Sequence, residues 1–166
     1  METSAIPGWS DFFVGAAGVA GALAGLLFVA ISINLAEIIK LPSAINRAGE
    51  TLLVLAGVLS VALVSLVPAQ SLHHLGAIVL VAAVPVWFFP ILTQIKSLRH
   101  HHYKHLAHVT IRGALHQIGT LPILIGALGL YGEIANVGIG WVAAGCILSM
   151  LVAMFSAWVL LVEILR

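Results

Sequence analysis

The chain has 166 residues, of which 61% are hydrophobic and only 8% charged, and its mean hydropathy is +1.16. Seven basic and six acidic side chains cannot supply the polar shell that a water-soluble chain of this length needs, so the composition excludes a soluble globular domain and describes an integral membrane protein. A net charge of +1 leaves no nucleic-acid footprint, and the single cysteine, Cys146, lies in an apolar run, which excludes a disulfide framework.

Charges divide the chain. Uncharged runs cover 12–36, 51–72, 75–95, 113–132 and 134–162, each long enough for the roughly 20 residues a spanning helix needs. Barrel strands would be shorter and would alternate, which these runs do not. The fold class expected is all-α: a polytopic bundle of five transmembrane helices at about 11–39, 48–71, 75–97, 105–131 and 134–165, forming a single transmembrane domain over 1–166. The first run lacks a basic segment before it and is too long for a cleavable signal, so it is expected to remain as a span.

Along the first span, Trp9, Phe12 and Phe13 suit an interfacial aromatic belt, and Ala17, Gly21 and Gly25 recur at four-residue spacing. The fifth span repeats that spacing with Gly145, Ser149, Ala153 and Ala157. Small residues in register let two helix backbones approach closely in lipid. Such faces serve packing within one protomer or contact between copies, and a homo-oligomer through the first or fifth span is expected. The third and fourth spans are interrupted by Pro85, Pro90 and Pro122. Each proline removes an amide donor and crowds the carbonyl four residues earlier. Kinks of this kind build midplane sites in transporters and also occur in membrane helices that carry no site.

Lys40 and Arg47 lie between the first two spans; Lys96, Arg99, Lys104 and Arg112 lie between the third and fourth or just inside the fourth; Arg166 ends the sequence. All basic residues thus fall on one side, which the positive-inside rule makes cytoplasmic, with the N-terminus outside and the C-terminus inside. Anionic headgroups are the partners expected for that side.

Polar residues concentrate in the same half of the bilayer. Asn34 and Glu37 come from the first span, Glu50 and Thr51 from the second, Arg112, His116, Gln117 and Thr120 from the fourth, and Ser156 and Glu163 from the fifth. A charge toward the bilayer interior costs at least ~2.5–3.5 kcal/mol, so such groups pair or face water. The cluster reads either as an ion-pair network that pins the helices or as a vestibule with titratable walls. Arg112 is expected to meet Glu50 or Glu163, with His116 one turn deeper.

Six of the eight histidines fall between 100 and 116. His101, His105, His108, Arg112 and His116 follow at steps of four, three, four and four, one stripe if the segment is helical. A solvated, headgroup-facing segment is the default reading of His101, His105 and His108. Metal binding and pH sensing are the sharper ones. No HExxH or Cys/His spacing is present, and no metal or cofactor is expected. No nucleophile elbow or phosphate loop appears either, so an enzyme is not expected.

The stretches GALAGLLFVAISINL (21–35) and RAGETLLVLAGVLSVALVSLVPAQ (47–70) resemble a group of small, uncharacterised five-helix multipass proteins of bacterial inner membranes. The resemblance implies a plasma-membrane location and brings no activity or ligand with it. Two roles fit the residues: a small oligomeric channel or transport-type protein with a Glu/Arg/His cytoplasmic mouth, or a non-catalytic scaffold or regulatory subunit of a larger membrane complex.

Overall fold

The computed structural model describes residues 8–68, 70–100 and 106–164, and among them no strand occurs. The helices are α1 (Ser10–Ile33), α2 (Leu35–Ile38), α3 (Pro42–Ser65), α4 (Leu72–His100), α5 (Leu106–Tyr131) and α6 (Ala135–Ile164). All but the four-residue α2 are long and apolar enough to cross a membrane.

The helix ends depart from the expected bounds for local reasons. The first expected span is broken at Asn34, whose side-chain Nδ2 and backbone amide both donate to the Ala30 carbonyl, at 2.9 and 3.2 Å. On the short α2, Glu37 is exposed. The second span begins at Pro42 rather than near 48. Proline suits the first helical turn because its missing amide would be unpartnered there anyway, and Leu41 ahead of it is extended at φ −118°, ψ 96°. Six more residues thereby become helical, Arg47 among them. The same helix stops at Ser65, where Leu66 and Val67 donate back three residues to Leu63 and Val64, just before Pro68.

The five long helices pack as a ring of four with one outrider. α3, α4, α5 and α6 contact one another in sequence around the ring, and α6 closes it against α3. α1 lies outside, against α3 and α6, through a narrow face of Phe13, Ala16, Ala20 and Leu27. The steps of three, four and seven from Phe13 put these four on one side of a helix. α3 is the central element: 56% of its apolar window is buried, against 17% for α1.

The tightest seam is the α5–α6 hairpin. Its turn is closed by Gly132 and Ile134 amides donating to Leu128 and Gly129 carbonyls, both at 2.9 Å, with Glu133 in the left-handed region at φ 62°. Beyond the turn, Gly126 and Gly138 let the two backbones touch. A Cβ on Gly126 would stand 2.5 Å from the Val142 nitrogen, and one on Gly138 would stand 2.7 Å from the Leu130 nitrogen. Gly145 meets Ile123 in the same way, and Ser149 Oγ donates to the Gly119 carbonyl at 2.9 Å. The small residues of α6 are thus spent on contacts inside the protomer, where close approach replaces the hydrophobic drive that lipid removes. The glycines of α1 are not: a Cβ on Gly15, Gly18, Gly21 or Gly25 would meet nothing within 4 Å, and of the small residues of that helix only Ala16 and Ala20 are buried.

Two apolar clusters fill the ring. One, around Val58, Val61, Leu75, Val79, Leu130 and Val142, lies toward the α5–α6 turn. The other, around Leu27, Ala44, Ala48, Val54, Leu55 and Leu160, lies toward the opposite end, where the basic residues gather. Leu26, Phe28, Val81, Phe89, Leu128 and Trp158 stay exposed, the outward apolar belt that a bilayer would cover.

Candidate functional site

At the basic end of the ring, three helices converge polar side chains on one small space. On α3, Arg47, Glu50, Thr51 and Val54 fall at steps of three, four and seven, a single helical face. On α5, Arg112 and His116 are one turn apart. On α6, Val152, Ala153 and Ser156 complete the wall. The cavity they line is small, about 30 Å³, and open on one side. Deeper in the ring lies a second space of about 10 Å³, walled mainly by Val54, Val58, Val61, Val86 and Ile123. The polar cavity and this apolar space share Val54 as a common wall.

Glu50 is the hub. Its Oε1 accepts from Thr93 Oγ1 on α4 at 2.5 Å and faces Arg112 Nη2 on α5 at 3.4 Å. The carboxylate side chain is 10% exposed and the guanidinium 24%. At 3.4 Å the ion pair is longer than a charge-assisted hydrogen bond and is single rather than bidentate, so it is mainly Coulombic. Thr93 Oγ1 also lies 2.8 Å from the Pro90 carbonyl, and its one proton goes where the negative charge is.

His116 is held from both sides. Its Nε2 lies 3.2 Å from the Val86 carbonyl, so Nε2 carries the proton, and its own carbonyl accepts Thr120 Oγ1 at 2.9 Å. Val86 stands four residues before Pro90, and Pro90 has no amide to give it. The histidine of α5 therefore supplies the donor that the proline of α4 withholds. Beside it, Trp87 Nε1 donates to Gln117 Oε1 at 2.7 Å, a second polar tie across the α4–α5 seam.

Of the residues singled out from sequence, Glu50, Arg112 and His116 come together at the cavity. Gln117 belongs to the α4–α5 seam instead. Asn34 and Glu37 are not brought to the cluster: Asn34 bonds to its own helix, and exposed Glu37 pairs with Lys40 at 2.8 Å, three residues on. The side chains of Glu163 and His108, and the whole of His101 and His105, lie outside the described residues. Among the prolines, Pro90 bears on the site through Val86. Pro85 and Pro122 lie inside α4 and α5, and the residues whose carbonyls they crowd, Val81 and Ile118, have outward-facing side chains. Among the described residues, no group of three or more histidine, cysteine, aspartate or glutamate side chains stands together to hold a metal.

Sequence reasoning placed Arg47 on the basic side but not at the cavity, and it did not single out Thr93, Gln94 or Trp87. A signal existed for Arg47: Pro42 at the first helical position puts Arg47 one turn before Glu50 and Thr51. Thr93 and Gln94 had none, since only the α4–α5 pairing brings them beside Glu50 and Gly113.

No protein-family model, no curated protein and no solved structure matches the chain.

Proposed function

We propose that this protein is a transport-type membrane protein, a small oligomeric channel or carrier, whose polar cavity is the mouth on the cytoplasmic side of a bacterial inner membrane. The observation that carries this reading is the placement of Glu50, Arg112 and His116 around a cavity within the apolar spans. Ionised groups there cost several kcal/mol, and they persist where a pathway or relay uses them. Beneath the mouth, the valine-walled space of about 10 Å³ has room for about one water, so the protomer would be closed to a hydrated ion in this conformation, as apolar constrictions close pores by excluding water. The orientation follows from the basic residues at that end. The proposal assigns the protein no catalysis.

A second reading, a non-catalytic scaffold or regulatory subunit, is favoured by the small size of the cavity, about 30 Å³, within a bonded cluster that ties α3, α4 and α5 together. Flux separates the two. Purified protein in liposomes, challenged in turn with gradients of monovalent anions, monovalent cations and protons, should conduct at least one of them, and Glu50→Gln or Arg112→Gln should change that rate. Flux at the level of empty liposomes for the whole panel would leave the scaffold reading in possession.

A further inference from the structure

We propose that the outward face of α5 at Gln117 is the contact between two copies of this chain, a two-fold pairing of Gln117 carboxamides within the membrane. It specifies the contact that the oligomeric reading requires, and it stands on the α4–α5 seam rather than on the cavity.

The indole of Trp87 fixes how that carboxamide is turned. An indole N–H only donates, so the atom 2.7 Å from Trp87 Nε1 is the Gln117 oxygen, and the amide nitrogen points the other way. Among the described residues that nitrogen has no acceptor, and it is not one of the buried unbonded atoms. Gln117 lines neither of the two spaces inside the ring. Ala114 and Leu121, one turn to either side, and the adjacent Ile118 are all exposed. Two amide protons are thus offered to whatever surrounds the bundle.

Depth sets what those surroundings hold. Gln117 lies seven residues inside Thr110, where the apolar span of α5 begins, and Trp87 lies eight inside Ile95, where that of α4 ends. By helical rise these are about 10 and 12 Å. Both helices put the pair at one depth, among lipid tails that offer no acceptor, and a donor left unbonded there carries its full desolvation cost. Ser32 and Asn34 on the first span and Ser60 on α3 avoid that cost by donating to the carbonyl four residues back in their own segment. Gln117 makes no such bond.

A second copy supplies the acceptor. Copies inserted in the same sense carry Gln117 at the same depth. A carboxamide oxygen has two lone pairs, of which Trp87 uses one, so the other can take a proton from the facing Gln117. Across a two-fold axis the exchange is reciprocal, and one residue provides both halves of the contact. Ala114 is small enough for close approach beside it, and exposed Ile118, Leu121 and Ile125 extend the stripe with dispersion contacts. A lipid ester carbonyl sits at the edge of the hydrocarbon core, about two helical turns away. The open glycines of α1 allow close approach as well, but no unbonded carboxamide donor stands among them.

The test uses the full chain. In maltoside micelles it should be dimeric by light scattering, and Gln117→Leu should weaken the dimer roughly ten-fold or more. That variant also strips Trp87 of its acceptor. The double variant Trp87→Phe/Gln117→Leu leaves no orphaned indole and should be folded and monomeric, whereas Trp87→Phe alone should stay dimeric. In native membranes under mild oxidant, Ala114→Cys should give a disulfide-linked dimer, which requires Cα atoms within about 7 Å, and Gly18→Cys should not. Cys146 is buried and does not compete. A chain monomeric at every detergent concentration, a dimer indifferent to the double variant, or cross-linking through Gly18→Cys and not through Ala114→Cys would each overturn the proposal. A Gln117-dependent dimer without flux in liposomes would uphold the contact and remove the transport reading. Flux from a chain that is monomeric would do the reverse.

Discussion

His116 Nε2 points at the Val86 carbonyl from 3.2 Å away, and Val86 is the residue that Pro90 deprives of its helical donor. A defect in one helix is repaired by a side chain of its neighbour. In water the freed carbonyl would be solvated. In an apolar span it must find a protein donor or remain unsatisfied at a cost of about 1–3 kcal/mol. The bond therefore couples the proline-bearing segment of α4 to the position of α5, and with it the distance between Thr93 and Arg112 on either side of Glu50.

That coupling is measurable by a double-mutant cycle. His116→Leu should destabilise the folded protein by about 1–3 kcal/mol, because the Val86 carbonyl loses its donor. In a Pro90→Ala background the alanine amide returns to that carbonyl, and the same His116→Leu should cost clearly less. Reversible unfolding in mixed micelles reads both values. Equal costs in the two backgrounds would mean that the proline and the histidine do not act on one carbonyl.

The ion pair makes a second prediction. Arg112→Ala should destabilise by about 1–3 kcal/mol, less than the ~3–5 kcal/mol of a wholly buried pair, because the guanidinium keeps 24% of its side chain exposed. Adding Glu50→Gln should recover part of the loss, since the acid left behind no longer carries a charge. Unfolding midpoints of the two single variants and the double variant decide it; strict additivity would show that Glu50 and Arg112 do not depend on each other.

Glycines on α5 and α1 should respond with opposite signs. Gly126→Ala places a methyl 2.5 Å from the Val142 nitrogen, a backbone atom that cannot step aside, and should cost about 1–3 kcal/mol. Gly18→Ala meets open space and should gain about 0.5–1 kcal/mol, the usual benefit of alanine over glycine in a helix. Should Gly18→Leu or Gly25→Leu instead shift a detergent-solubilised oligomer toward monomer, as read by light scattering, the open face of α1 would be the contact between copies. Should both leave the oligomeric state untouched, the homo-oligomer expected through α1 would lose its support.

Topology can be read chemically. Cys146 is buried, so an impermeant maleimide should not reach it in intact cells. Gly132→Cys, in the exposed α5–α6 turn, should label from outside, and Lys40→Cys, exposed at the basic end, should label only after lysis. The reverse pattern would invert the orientation drawn from the basic residues and move the proposed mouth to the outer face.

Sequence alone determined what depends on composition along the chain. Five apolar runs between charges yield five long helices, because a segment's hydropathy is a local sum that no neighbour can change. The gathering of polar groups at one end was legible for the same reason; the prolines expected to interrupt the third and fourth spans lie instead inside continuous α4 and α5. What the sequence left open was decided by which helix stands beside which. Asn34, Glu37, Glu50 and Gln117 all sit near that end by residue count. Yet Glu50 alone among these four reaches Arg112, because α3 closes the ring with α4 and α6 while α1 stays outside it. Arg47 joined the cavity because α3 starts at Pro42, and Thr93 and Gln94 joined because α4 lies along α5. The two small-residue stripes look alike as text, but only the one on α6 is buried against a neighbour. Contacts between distant segments rest on dispersion and on single hydrogen bonds, and these depend on ångström-scale approach between helices that no pattern within one helix encodes.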